Sequence, residues 1–291
     1  MPAHALYTTD KNGAQSDSHG KIAWISFEAL AAERLLQNLK TQLCRLDKKH
    51  SEKRVHDTRV ALRRWFAVWS QLRQNGWDST KFHGKAIEPL SDLLQELGTT
   101  RDLDVLHDLG RQVGCRQSFL RKLDKQRDKA DQSLKKELAR LEIKPLLQYM
   151  RAYLRARQQK LEKALGDSAS AAESVADHVN AALAQQEQLV KRLERDFDDP
   201  KGMHRFRLAV KGWRYLLSEL CGIKNEELEE AQTLLGEIHD LDTLNQLLIE
   251  DGNNILALTN LKQRRTKLLE QAKQVKRALP FGLRAVQPSV N

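Results

Sequence analysis

Apolar residues recur every three to four positions along most of this chain, the spacing of helices that bury one face. Leu30, Leu35, Leu36, Leu39 and Leu43 predict a first helix over 22–46. Ser51 is placed to cap a second, which Asn75-Gly76 stops after Gln74. The run from Leu90 to Leu97 predicts a third, ending at Gly98 as a C-terminal glycine would, and Arg101-Asp102-Leu103-Asp104-Val105-Leu106 opens another. Charged helices follow over 117–142 and 144–165, with Pro145 in a first turn, and Gly166-Asp167-Ser168 marks a midpoint. Beyond it come a helix over 171–195, the cap-and-first-turn pair Asp199-Pro200, a helix to Leu220 ended by Gly222, and a last helix over 255–277. Alternating strand-like patterns are absent, so the chain reads as all-α.

Two unlike motifs recur in the same order. Val55-His56-Asp57-Thr58-Arg59-Val60-Ala61-Leu62-Arg63-Arg64 is echoed by the run from Met203 to Tyr215, with His56 matching His204. Leu97 to Asp104 is echoed by Leu235 to Asp242. From His56 to Asp102 is 46 residues and from His204 to Asp240 is 36, the excess lying in the connection around 75–84. Ordered recurrence predicts an internal duplication: two related helical bundles about a pseudo-twofold axis, with repeats over about 21–165 and 171–277. Residues 1–20 are polar and aperiodic and read as a disordered tail, and 278–291 read as a C-terminal tail beginning near Pro280.

Residues three and seven apart fall at about 300° and 340° on a helix, so His56, Arg59 and Arg63 share one stripe. His204, Arg207 and Lys211 share another, which Arg214 extends. Leu62, Trp65, Phe66 and Trp69 form the opposite apolar face of the first helix, and Phe206, Val210, Trp213 and Leu217 that of the second. Asp57 is the only acid between Val55 and Leu72, and Met203 to Leu217 holds none. Cations of like sign at i,i+4 repel, and a solvated face usually intersperses carboxylates. Bare stripes of arginine, whose planar fork grips phosphate oxygens, therefore point to a bound polyanion, with the two stripes facing each other.

The 291 residues carry a net charge of +10, with 40% hydrophobic and 30% charged residues. That balance allows nucleic acid, a phosphate polymer or an anionic surface as partner. No apolar run is long enough for a membrane span, and Cys44, Cys115 and Cys221 are too dispersed for a disulfide framework, which fits the cytoplasm. Walker, dinucleotide-binding, HExxH and GxSxG signatures are missing, and no cofactor or metal is expected. Asp102, Asp104, Asp240 and Asp242 read as helix-start caps or as partners of the arginines. A Mg²⁺-dependent phosphohydrolase built on them is the enzymatic alternative. The tryptophans fall in core phases, which weakens the nucleic-acid alternative.

At His56, Arg59, Val60, Arg63 and Arg64, and again at His204, Arg207, Lys211, Arg214 and Tyr215, the chain resembles the CHAD family, the conserved histidine α-helical domain. Arg101 to Val105 matches that family's Arg-Asp-Leu-Asp-Val stretch. The resemblance spans about 21–277. It implies two antiparallel bundles around a basic central channel, and non-catalytic binding of inorganic polyphosphate, at polyphosphate granules, through the residues of both motifs and Arg101. Many relatives carry an arginine where Phe66 stands, so the first stripe is expected to grip less strongly than the second. The ExExK signature of the triphosphate-tunnel domain attached in some relatives is not found, so a stand-alone binding module is expected.

Overall fold

The computed structural model describes residues 11–74, 76–165 and 171–283. The predicted break at Gly166-Asp167-Ser168 and the outer ends of both tails, 1–10 and 284–291, lie outside the described residues. The described residues are helical, without a strand. In order they form α1 (Lys11–Lys48), α2 (Glu52–Gln74), a short α3 (Thr80–Phe82) and α4 (Glu88–Val113). Next come α5 (Gln117–Arg140), α6 (Ile143–Leu165), α7 (Ala171–Leu193), α8 (Pro200–Leu220), α9 (Glu226–Asp251) and α10 (Ile255–Arg277).

Capping chemistry sets several of these ends as predicted. Ser51 Oγ accepts from the Arg54 amide at 3.4 Å, and Asp199 accepts from the Gly202 amide at 2.7 Å ahead of Pro200. The predicted apolar faces are the core faces: Leu62, Trp65 and Trp69 on α2, and Phe206, Val210, Trp213 and Leu217 on α8, are buried. Trp65 stacks on Trp69 with ring centroids 5.5 Å apart, and Trp69 meets Phe82 at 4.9 Å. Phe66 closes on Trp65 edge-on at 5.4 Å, so it serves packing where a cation would serve a ligand.

Three predicted boundaries need correction. The helix does not stop at Gly98; α4 runs unbroken from Glu88 to Val113 and ends at Gly114, whose φ is +82°. A mid-helix glycine costs about 1 kcal/mol against alanine, but burial of Leu93, Leu97 and Thr100 around it holds the turn together. The two Asp-Leu-Asp segments therefore lie inside α4 and α9, not at helix starts where they could cap. The predicted 1–20 tail is helical from Lys11, since extending a helix already anchored by packing avoids the cost of nucleation. Nor is the segment after 277 wholly a tail. Leu279 is buried, Phe281 stacks on Trp213 at 5.7 Å, and the Gly282 amide donates to Glu187.

In the middle of the molecule three elements of one predicted repeat pack on their counterparts: α1 on α7, α2 on α8, and α4 on α9. α5 and α10 flank α4 and α9. The two basic helices are thereby brought side by side, with α4 and α9 behind them.

Gly202, in the first turn of α8, is required by close approach. A Cβ there would sit 1.9 Å from the Asp196 carbonyl oxygen, a distance no side chain tolerates. Helix propensity alone favours Gly202→Ala by roughly 1 kcal/mol. The clash reverses the sign: the variant is expected to lose about 2 kcal/mol, read as a lowered midpoint in chemical denaturation. Unchanged or raised stability would contradict the close approach.

Candidate functional site: a basic strip where the two repeats meet

The facing of α2 and α8 joins the two stripes into one strip. Arg59, Arg63, Arg207 and Lys211 lie near enough to depress one another's protonation. Burial is the first cause for all four, and the neighbouring cations add to it. Lys211 is affected most. Burial and then Arg63, Arg207, Arg59 and Arg214 push its ammonium down to about 7. Among the described residues no carboxylate lies within ion-pair distance of Arg63, Arg207, Lys211 or Arg101. The Nε groups of Arg59 and Arg207 are buried without a hydrogen-bond partner. Buried donors in native proteins are nearly always satisfied, so these await an acceptor that the chain does not supply.

Two carboxylates border the strip. Asp102 accepts from Arg59 Nη2 at 3.1 Å, and Asp240 raises the protonation of Arg59, Arg63 and Arg207 from further away. Residues two apart on a helix point about 200° apart, so the second aspartate of each pair faces away from the strip. Asp104 takes Arg127 of α5 at 3.0 Å, and Asp242 takes Arg265 of α10 at 3.2 Å, each partner 23 residues further on. Of the four, only Asp102 holds an arginine of a basic helix as expected; Asp104 and Asp242 pair with arginines of the flanking helices, and Asp240 lies against His239. No group of three or more His, Cys, Asp or Glu suited to a metal occurs among the described residues.

The remaining candidates divide. Arg101 stands beside His56 and Arg59 and lines a cavity of about 190 Å³ between α4 and α9. Arg214 is close enough to act on Lys211, but its guanidinium also donates to Gln232 at 2.9 Å and Glu229 at 3.2 Å, placing it at the strip's edge. Arg64 leaves the strip: its guanidinium points to Glu219 at the end of α8, 3.4 Å away, and ties the two helices together. Arg64 is eight residues from His56, about 80° round the helix, which puts it off the stripe. His56 and His204 are exposed at the N-terminal ends of the two stripes. Partial burial and then Arg101 depress the His56 imidazole; partial burial and then Arg207 and His239 depress that of His204. Both shifts disfavour the imidazolium in the free protein, the form that phosphate would favour.

Sequence reading missed Gly98. A Cβ there would lie 3.8 Å from Arg59 Nε, an ordinary contact, so the guanidinium packs directly over this turn of α4. Its counterpart in α9, Gly236, has no atom within 4 Å of the same point. The first half of the strip is occupied by its own arginine, and the second is open. The glycine recurring at the same place in both motifs was the available signal that this turn of α4 and α9 borders the strip.

A family model of the CHAD domain matches residues 30–249, and the chain belongs to that family. Its fold is similar to the crystal structure of the CHAD domain from the plant Ricinus communis. The TM-score is 0.59 at 21% identity, covering 90% of this chain and 92% of that one. It is also similar to PptA from Streptomyces chartreusis, with a TM-score of 0.55 at 13% identity over 87% of this chain and 96% of that one. No curated protein matches the sequence.

Crowding at Lys211 has a measurable consequence. Folding lowers its proton affinity, so the folded state binds fewer protons than the unfolded chain between about pH 7 and the ordinary lysine value near 10.4. Stability from this group therefore rises with pH across that window and is lowest below it. Lys211→Met should stabilise the free protein by about 1–2 kcal/mol at about pH 6.5, after allowing for solvent access, and by almost nothing near pH 10. Urea denaturation at the two pH values tests this, and equal stability of variant and wild type at the lower pH would refute it.

Proposed function

We propose that the strip binds inorganic polyphosphate without catalysis, as a phosphate-chain receptor of the cytoplasm that follows long chains into polyphosphate granules. The supporting observation is the cluster of partly buried cations at Arg59, Arg63, Arg207 and Lys211, of which only Arg59 has a carboxylate partner and in which Arg59 Nε and Arg207 Nε lack an acceptor; a chain carrying one negative charge per phosphate would satisfy it. Arg101 and Arg214 extend the grip at either side, and His56 and His204 stand at the strip's ends. The packing of like elements on one another supports a pseudo-twofold relation of two bundles, with the strip running along the junction.

One observation favours a bare phosphate chain over nucleic acid. Binding single strands uses exposed aromatic rings on which bases stack. Trp65, Trp69, Trp77 and Trp213 are buried, and no Phe, Tyr or Trp is among the exposed large hydrophobic residues described. A hydrolytic role is opposed by the use of Asp102, Asp104 and Asp242 as arginine partners. Free phosphate released from polyphosphate with Mg²⁺, and lost in Asp102→Ala, would establish hydrolysis instead.

Arg59→Ala/Arg207→Ala should weaken polyphosphate binding at least about 100-fold, since charge-assisted hydrogen bonds contribute roughly 1.5–3 kcal/mol each. Four to six contacts give a log–log salt slope of about −3 to −4. Titration of wild type and variant at several salt concentrations reads both, and displacement of polyphosphate by single-stranded DNA at equal charge concentration would defeat the selective reading. The same double substitution should abolish co-localisation with granules.

Lys211 adds a proton to the reaction. A bound phosphate restores its ammonium, so binding near pH 8 should take up close to one proton, and affinity should fall as pH rises above about 7. Calorimetry in buffers of different ionisation enthalpy counts that proton; none taken up would remove Lys211 from the site.

A further inference from the structure

Beyond the N-terminal end of the α8 stripe lies a pocket of about 550 Å³ between α8 and α9. His204 and His239 both line it and lie against each other, ring centroids 5.5 Å apart and planes inclined by 36°. Lys201 and Arg205 also line it. His239 precedes Asp240 as Arg101 precedes Asp102, and Arg101 stands beside His56 as His239 stands beside His204. The two ends of the strip are thus built on one plan, with a permanent cation at one and an imidazole at the other.

We infer that the His204–His239 pocket is a second phosphate subsite, continuous with the strip, which accepts further units of the same polyphosphate chain when its imidazoles are protonated. This rests on the reading of the strip as a polyphosphate site and adds His239 to it. His204 precedes Arg207 by three residues and Lys211 by seven, about 4.5 Å and about 10 Å along the helix, so a chain lying along the strip enters the pocket beyond Arg207.

The surrounding charges make the subsite conditional. On α8, Arg205 is held by Asp196 at 3.0 Å, and among the described residues no carboxylate lies within ion-pair distance of Lys201. Asp199 lines the pocket but is engaged as the α8 cap. On α9, Asp240 lies 3.3 Å from His239 Nδ1, and Asp242 is neutralised by Arg265 of α10. Arg207 and His239 both oppose a charge on His204. With neutral imidazoles, cations and carboxylates nearly balance, and the pocket has little attraction for phosphate. Protonation of both rings adds two positive charges, which repel each other until an anion comes between them. The α8 N-terminus is not the source of attraction, because Asp199 already takes the Gly202 amide and Pro200 has no N–H.

The test compares tripolyphosphate, which has few units to place beyond the strip, with a long polyphosphate chain, on wild type, His204→Gln and His239→Gln at about pH 5.5 and about pH 8. At about pH 5.5 the wild type should prefer the long chain over tripolyphosphate about 3- to 10-fold more than either variant does. Its salt slope for the long chain should be steeper than theirs by about 0.7 to 1.4, the mark of one or two extra contacts. Taking the long-to-short ratio cancels the contribution of Lys211, which both ligands meet. Comparing proteins at one pH cancels the protonation of the ligands. In the wild type, NMR titration should show both imidazoles gaining protons on adding the long chain but not on adding tripolyphosphate. Equal ratios in all three proteins, or imidazoles indifferent to chain length, would overturn the subsite. If Arg59→Ala/Arg207→Ala also leaves binding intact, the strip itself fails; if that double variant loses binding while the histidine variants match wild type, only the subsite does.

Discussion

Mutual repulsion among Arg59, Arg63, Arg207 and Lys211 is the constraint to which the rest of the structure answers. Bringing these cations together while partly removing them from water opposes folding twice, through lost hydration and through like-charge contact. The opposite faces of the same helices supply the compensation. Trp65, Trp69 and Leu62 on α2, and Phe206, Val210 and Trp213 on α8, are buried in one continuous core, each large side chain contributing on the order of 1.5–3 kcal/mol. The strip is carried by two helices that are strongly amphipathic in opposite senses, and its strain is stored against that core.

Carboxylates are admitted to this arrangement sparingly. Asp102 pairs with Arg59 and Asp240 acts from further off, so the strip is held together without being neutralised. The alternate residues, Asp104 and Asp242, fasten the flanking helices through Arg127 and Arg265. One Asp-Leu-Asp spacing thereby does two different things on two sides of one helix. It also explains why the motif recurs with its arginine partner 23 residues on in both halves.

The halves are not equivalent. Arg59 lies over Gly98 with its Nη2 on Asp102, whereas the space over Gly236 is open and Arg207 has no carboxylate partner among the described residues. Phe66 packs where the second half has Arg214, and Arg101 stands where the second half has His239. The first half is therefore the more self-satisfied and the second the more dependent on what binds, so the strip has a direction.

Periodicity and paired motifs were enough to determine the all-α class, the core faces of α2 and α8, the Asp199 cap and the two basic stripes, because these depend on neighbours within about two helical turns. The paired motifs also led to the expectation that the stripes face each other, which the packing of α2 on α8 meets; only the tertiary structure decided that Lys211 is crowded by four arginines and that Arg64 turns to Glu219. It also decided that Gly98 lies inside a helix, where a local rule had placed an end, and that Leu279 and Phe281 belong to the core. The reason is physical: helical phase follows from local geometry, whereas the proton affinity of Lys211 and the fit of Arg59 over Gly98 depend on charges and surfaces far away in the chain. No local pattern carries their distances.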